Sequence, residues 1–251
     1  MKKIFAVLLA IGIILFFASY RNDPKRVIMQ LAGKTDKPDS ALQYEMSVFG
    51  ILPVGLARME PPREEMLQGQ KVYHLRATAD NLKWISWLVT ASAVFDSYID
   101  RKSFNPVVFR QKVSLKGKSH ADKEILYDQA RGVMSMAGIK RQILPGTQDP
   151  LSLIFNLRHL DFNRIKDFEM IINTNQKNYI LRGTSEIRNM YIRKALRKLA
   201  FVKATISRKD KNPYHKSSLS MVLLADKGNL PVLIKIFASG FLMNAKLIDM
   251  Q

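Results

Sequence analysis

From about residue 42 to the C-terminus, apolar and polar side chains alternate with a period of two, and this limits what the chain can become more than any other feature. In "KVYHLRATAD", Tyr73, Leu75, Ala77 and Ala79 share one face while His74, Arg76, Thr78 and Asp80 share the other. In "PVVFRQKVSLKGK", Val107, Phe109, Val113 and Leu115 oppose Arg110, Lys112, Ser114 and Lys116. Such alternation marks strands with one buried and one wetted face. It recurs over 123–129, 167–173, 177–183, 217–225, 231–239 and 241–248. The stretches between, such as "NTNQKN" and "ADKGNLP", carry the Gly, Asn, Asp and Pro that turns require. The expectation is an all-β, mainly antiparallel fold: a curled sheet or barrel-like meander of about ten strands.

Three segments break the alternation. At 149–159, Asp149 suits an N-cap and Pro150 the first helical position. Leu151, Ile154, Phe155 and Arg158 then follow at helical spacing. A helix this short is not stable alone in water, so it is expected to lie on something apolar, as a lid or gate over the open end or concave face of the sheet. In "DNLKWISWLVTASAVFDSYI", Trp84, Leu88, Ala91 and Phe95 fit a helical stripe, but the Val and Thr content leaves helix and strand both open across 82–95. Both tryptophans, Trp84 and Trp87, sit here, and their amphipathic rings suit either core or a lip over a cavity or against a bilayer. The third segment, between 188 and 211, holds Arg188, Arg193, Lys194, Arg197, Lys198 and Lys203, with further cations beyond, against Asp210 alone. Helix and strand are again both open over 186–200. The run reads as solvated surface or as a docking patch for acidic lipid or polymer.

Charge and ends bear on function. The formal charge is +19 over 251 residues, a field that favours anionic partners without choosing among them. The start "MKKIFAVLLAIGIILFFASY" places Lys2 and Lys3 before an unbroken apolar run from Ile4 to Ala18. That is the pattern of a secretory signal, shorter than the ~20 residues of a full span. Residues 1–20 are therefore expected to be a signal peptide or N-terminal membrane anchor helix, 21–40 a polar linker, and 41–251 a single β-rich domain. Export argues against nucleic acid as a partner and places the domain in the periplasm, free or anchored to the inner membrane. With no cysteine there is neither a disulfide frame nor a thiolate nucleophile.

No catalytic constellation is evident. Gly117-Lys118-Ser119 resembles the tail of a phosphate loop, but Lys112 stands where its first glycine belongs. There is no G-x-S-x-G elbow, the four histidines are dispersed without metal-ligand spacing, and Glu64–Glu65 sits in a loop-like "EPPREE" stretch. No cofactor or metal is implied.

The order of these segments resembles the domain of unknown function 3108 family. The resemblance is carried by "LQYEMSVFGILPVGLARME" with Gly50 and Gly55, and by "DSYIDRKSFNPVVFRQKV" with Tyr98, Asp100 and Pro106. "EILYDQARGVM", "DPLSLIFNLRHLDF" and "LADKGNLPVLIKIFASGFLMNAKLI" with Pro231 and Gly240 complete it. It spans about residues 40–250 and departs at 186–211, where the family has a short glycine turn. The resemblance implies an exported bacterial envelope protein with a curled β-sheet and no established activity; by fold analogy alone, half-barrels of this kind are similar to periplasmic carriers of lipid or acyl chains.

The function expected is non-catalytic binding or carriage of a lipid or other hydrophobic envelope component, with Trp84, Trp87, Phe95, Leu151, Ile154, Phe155 and Arg158 as candidate ligand contacts. The alternative is an interaction protein with a solid core that docks on an anionic membrane or envelope polymer through Arg188, Arg193, Lys194, Arg197, Lys198 and Lys203.

Overall fold

The structure is a computed structural model that describes residues 23–31, 40–87, 90–115, 118–174, 176–192, 194–208, 217–238 and 240–251, with backbone only at 118–121. The apolar segment 1–20 and Arg193 lie outside the described residues. Among the described residues, fifteen strands form one antiparallel sheet. The first nine are β1 (Leu42–Val48), β2 (Leu52–Met59), β3 (Arg63–Leu67), β4 (Gln70–Asn81), β5 (Ala91–Asp100), β6 (Pro106–Leu115), β7 (Lys118–Asp128), β8 (Val133–Met136) and β9 (Ile139–Gln142). After the mid-chain helix come β10 (Asp167–Thr174), β11 (Lys177–Ile192), β12 (Ala195–Arg208), β13 (Ser217–Leu224), β14 (Leu230–Ala238) and β15 (Phe241–Met250).

Each strand pairs with its sequence neighbour, except that β2 pairs with β4 past the flap β3, that β9 and β10 do not pair, and that the last strand returns to the first, with Leu42 opposite Met250 and Val48 opposite Met243. Two meanders, β1–β9 and β10–β15, thereby share one sheet. Its edges β9 and β10 approach each other. A parallel bridge joins Gln148 to Ile172, and the Asn178 Nδ2 donates to the Gln142 carbonyl at 2.9 Å. The sheet is curled into a barrel-like shape, as the alternation requires.

Helix α2 (Pro150–His159) is the crossover between the two meanders. Leu151 and Phe155 pack with Leu75, Ile99 and Phe109 of the first, while Leu153 and Leu157 pack with Leu181, Val202 and Leu219 of the second. The single stripe expected from 151, 154, 155 and 158 is therefore two stripes. The helix is buried on both sides because it is enclosed between the halves of the sheet rather than laid over it with one face outward.

Helix α1 (Pro24–Leu31) occupies part of the segment expected to be linker. Val27, Ile28 and Leu31 are buried against Leu199, Val222, Leu224 and Leu247. Leu199 and Ala200, like Val222 and Leu223, fall in different apolar clusters, as successive strand positions must. Over 24–31 the expected polar tether is a docked helix, because one apolar turn at i, i+1 and i+4 suffices to bury it.

Three open or mistaken readings resolve. Residues 83–85 make a 3₁₀ turn and 91–100 are strand. Residues 186–208 extend the β11–β12 hairpin in unbroken register from Tyr179↔Arg208 to Ile192↔Ala195. The "EPPREE" stretch holds the exposed strand β3, whose Glu64 and Glu65 pair with Arg101 at 3.2 Å and His74 at 3.0 Å.

Gly55 lets two strands close. A Cβ there would stand 2.6 Å from the Asp80 carbonyl oxygen and 2.7 Å from the Met46 Cε. The carbonyl is backbone in β4 and cannot rotate away. Gly55→Ala is expected to destabilise by about 1–3 kcal/mol, read as a lowered urea midpoint at unchanged slope.

Candidate functional site

The site is built around α2. Asp149 caps it: one carboxylate oxygen accepts from the Leu151 and Ser152 amides at 2.8 and 2.9 Å, and the Ser152 hydroxyl accepts from the Asp149 amide at 2.9 Å. The second oxygen accepts from the Ser97 hydroxyl at 2.5 Å. Burial raises the carboxyl to a pKa of about 6, and the Ser97, Ser152 and Leu151 hydrogen bonds hold back a larger rise. Tyr127 is buried nearby, and its phenol is pushed well above its ordinary value by burial and by the Asp149 charge. Ser97, Asp149 and Tyr127 are all closed from solvent, so this cluster is a structural anchor with no route for substrate.

At its other end α2 is tied to the β13–β14 turn. Asn229 donates to the carbonyls of Arg158 and Leu160 at 2.8 and 2.9 Å. Between this lock, the start of β1 and the end of β2 lies a cavity of about 440 Å³, within the size range of small-ligand sites. Its apolar wall is Leu42, Met59, Leu75, Leu151, Phe155 and Leu230. Arg76, Arg158 and Lys227 line its polar side with Glu60; Arg76 also pairs with Asp96 at 3.3 Å, and Glu60 is held by Arg58 at 2.7 Å. His159 lines the same space, with its Nδ1 2.8 Å from the Phe155 carbonyl. Beside the site Tyr44 is fully buried and donates to the Pro231 carbonyl at 3.0 Å; burial pushes its phenol far up, so it stays a neutral donor.

Of the expected ligand contacts, Leu151, Phe155 and Arg158 line this cavity. Ile154 packs on the opposite side of α2. Phe95 stacks on Phe109 in the core, ring centroids 6.4 Å apart. Trp84 and Trp87 are exposed at the far end of the sheet and do not join the others. The remaining walls, from β1, β2, β4 and β14, left no signal in the sequence, since each is one apolar position in an ordinary alternating strand.

The basic segment is a hairpin with partners. Arg188 makes two bonds to Glu186 at 2.7 and 2.6 Å, and Arg197 pairs with Asp226 at 3.0 Å. Lys194 occupies the turn at φ 64°, Lys198 borders a shallow depression with Asn163 and Glu186, and Lys203 lines a broad groove with Phe168 and Arg182. No group of three or more His, Asp or Glu converges as a metal site among the described residues. His74 is held between Glu65 at 3.0 Å and Asp96 at 2.8 Å, so both ring nitrogens are engaged by carboxylates. Among the described residues no helix is long and apolar enough to cross a membrane.

A curled antiparallel sheet plugged by its own crossover helix defines a β-barrel-like domain. The crystal structure of a beta-barrel-like protein of the domain of unknown function DUF1849, from Brucella abortus, shares that fold: 10% identity, TM-score 0.55, covering 84% of this chain and 96% of the other. A candidate lipoprotein from Parabacteroides distasonis aligns over 87% of this chain and 97% of its own at 9% identity, with a TM-score of 0.33. No curated protein matches the sequence. Residues 43–240 match the family described as Protein of unknown function (DUF3108), and the chain belongs to that family.

Proposed function

We propose that this is an exported cell-envelope protein that binds an anionic amphiphile, without catalysis, in the cavity beside α2. The observation that carries this reading is the pairing of an apolar wall, Leu151 and Phe155 foremost, with the cations Arg76, Arg158 and Lys227 around one space. An acyl chain would replace water on the wall, and an acidic head group would meet the cationic side. Export rests on the charged and apolar N-terminal segment. The alternative, docking through 188–203, is supported by the charge run but weakened by the two arginines already engaged by Glu186 and Asp226.

Mass spectrometry of an organic extract from gently purified full-length protein tests the reading. A stoichiometric acidic lipid is expected. Reversing Arg76 and Lys227 to Glu should lower its occupancy by at least about tenfold, since each cation near an anionic group contributes roughly 1 kcal/mol. A folded protein that carries no lipid, and takes none up from envelope extract, overturns it.

A further inference from the structure

We propose that the end of the sheet opposite the cavity docks on an anionic lipid bilayer through an aromatic rim. The strand register collects three connections there. β1 and β2 meet at Val48↔Leu52, β14 and β15 at Ala238↔Phe241, and β4 hands over to β5 beyond Asp80↔Ser92. Phe49 and Leu52 belong to the first, Phe241 to the second, Trp84 and Trp87 to the third. All five are exposed, Trp87 by 78% and Phe241 by 58%. They are also contiguous: the Phe49 amide donates to the Leu242 carbonyl at 2.7 Å, and the Phe49 and Phe241 ring centroids are 6.1 Å apart. The Trp84 indole N–H donates to the Pro53 carbonyl at 3.1 Å, which ties the third connection to the first. A contiguous patch of large exposed apolar side chains marks an interaction surface, and Trp with Phe and Leu beside cations is the composition that settles at a membrane–water boundary.

Charge identifies the occupant. Lys83 sits beside the tryptophans. The β8–β9 and β10–β11 turns close on this side as well, as Met136↔Ile139 and Thr174↔Lys177 show. Lys140 and Lys177 are exposed beside these turns, and β4 adds Asp80. On the outer surface at the cavity end, four cations are paired with acids: Glu64–Arg101, Asp128–Arg131, Asp161–Arg164 and Asp226–Arg197 lie 3.0–3.7 Å apart. An anionic surface therefore finds its complement at the aromatic end. This inference does not rest on the cavity reading.

The only two tryptophans of the chain are Trp84 and Trp87, so intrinsic fluorescence reports on this rim alone. Full-length protein would be reconstituted into vesicles of phosphatidylcholine, with or without phosphatidylglycerol. The expected result is a blue-shifted emission in the phosphatidylglycerol vesicles, smaller in phosphatidylcholine, reversed by high salt, and lost in the F49D/F241D double variant. Both substituted residues are exposed, so that variant should fold and keep any cavity ligand. Unchanged emission in phosphatidylglycerol vesicles overturns the proposal, as it would place any membrane contact on another face. An equal shift in both compositions overturns the anionic specificity. A concentration-dependent shift without lipid assigns the rim to a second copy of the chain and also overturns it.

Discussion

Leu157→Ala is expected to cost about 2–5 kcal/mol, the range for deleting a fully buried leucine that leaves a cavity its neighbours cannot refill. Leu157 has no exposed surface and stands on the side of α2 that packs on Leu181, Val202 and Leu219. Those neighbours belong to strands fixed by continuous ladders, β11 to β12 and β12 to β13, so the sheet cannot collapse onto the void. Ile154→Ala, at a partly buried position of the same helix, should cost clearly less. Equilibrium urea unfolding checks both, with a lower midpoint and an unchanged slope. For a domain of this size the Leu157 effect corresponds to roughly 2–4 °C in Tm per kcal/mol. If Leu157→Ala cost no more than a surface substitution, about 0.5 kcal/mol or less, α2 would be a surface lid with one buried stripe and not an enclosed crossover.

That distinction is where the sequence was least informative. The start of α2 was legible in Asp149 and Pro150, because capping chemistry is local. Its second apolar stripe, Leu153 and Leu157, was present in plain view, but a helix apolar on two sides has no preferred face to read. Strand alternation was equally legible, and with it the fold class. The strands overlooked as such were β3, β8 and β9, of five, four and four residues, too short for a period to show. The cavity depended on still longer-range information. Leu42 and Leu230 reach it only because β15 returns to pair with β1 and β14 lies beside β15, a contact across nearly the whole chain. Phe155 and Arg158 were found since they share a helix; Leu42, Met59 and Leu75 could not be. The tryptophans were seen together correctly, but in a rim far from α2, since the turn at 83–87 points them away from the core.

Asp149 supplies the largest expected dependence on pH. Its carboxyl titrates near pH 6 in the folded protein, because burial disfavours the charge, against an ordinary value of 3.8. A folded pKa above the unfolded one means that the native state binds this proton more tightly. The corresponding stability is fully present below pH 3.8 and is lost as pH rises through about 6. A separation of about two units amounts to about 3 kcal/mol. The wild type should therefore lose that much stability from this group between pH 4 and 7, while Asp149→Asn, which titrates nowhere in the window, should not. Asparagine keeps an acceptor for the Leu151 and Ser152 amides and presents its own N–H to the Ser97 oxygen, so the cap survives the change. The measurement is the wild-type-minus-variant difference in unfolding free energy across that pH range, which cancels the contributions of carboxylates shifted the other way, such as Asp100, Asp161 and Glu186. A flat difference would show that the Ser97 hydroxyl and the two helix amides offset the burial of the charge in full, leaving Asp149 an ordinary ionised cap. A difference that falls with rising pH would show that the fold tolerates a costly buried carboxylate in order to fix where its two meanders meet.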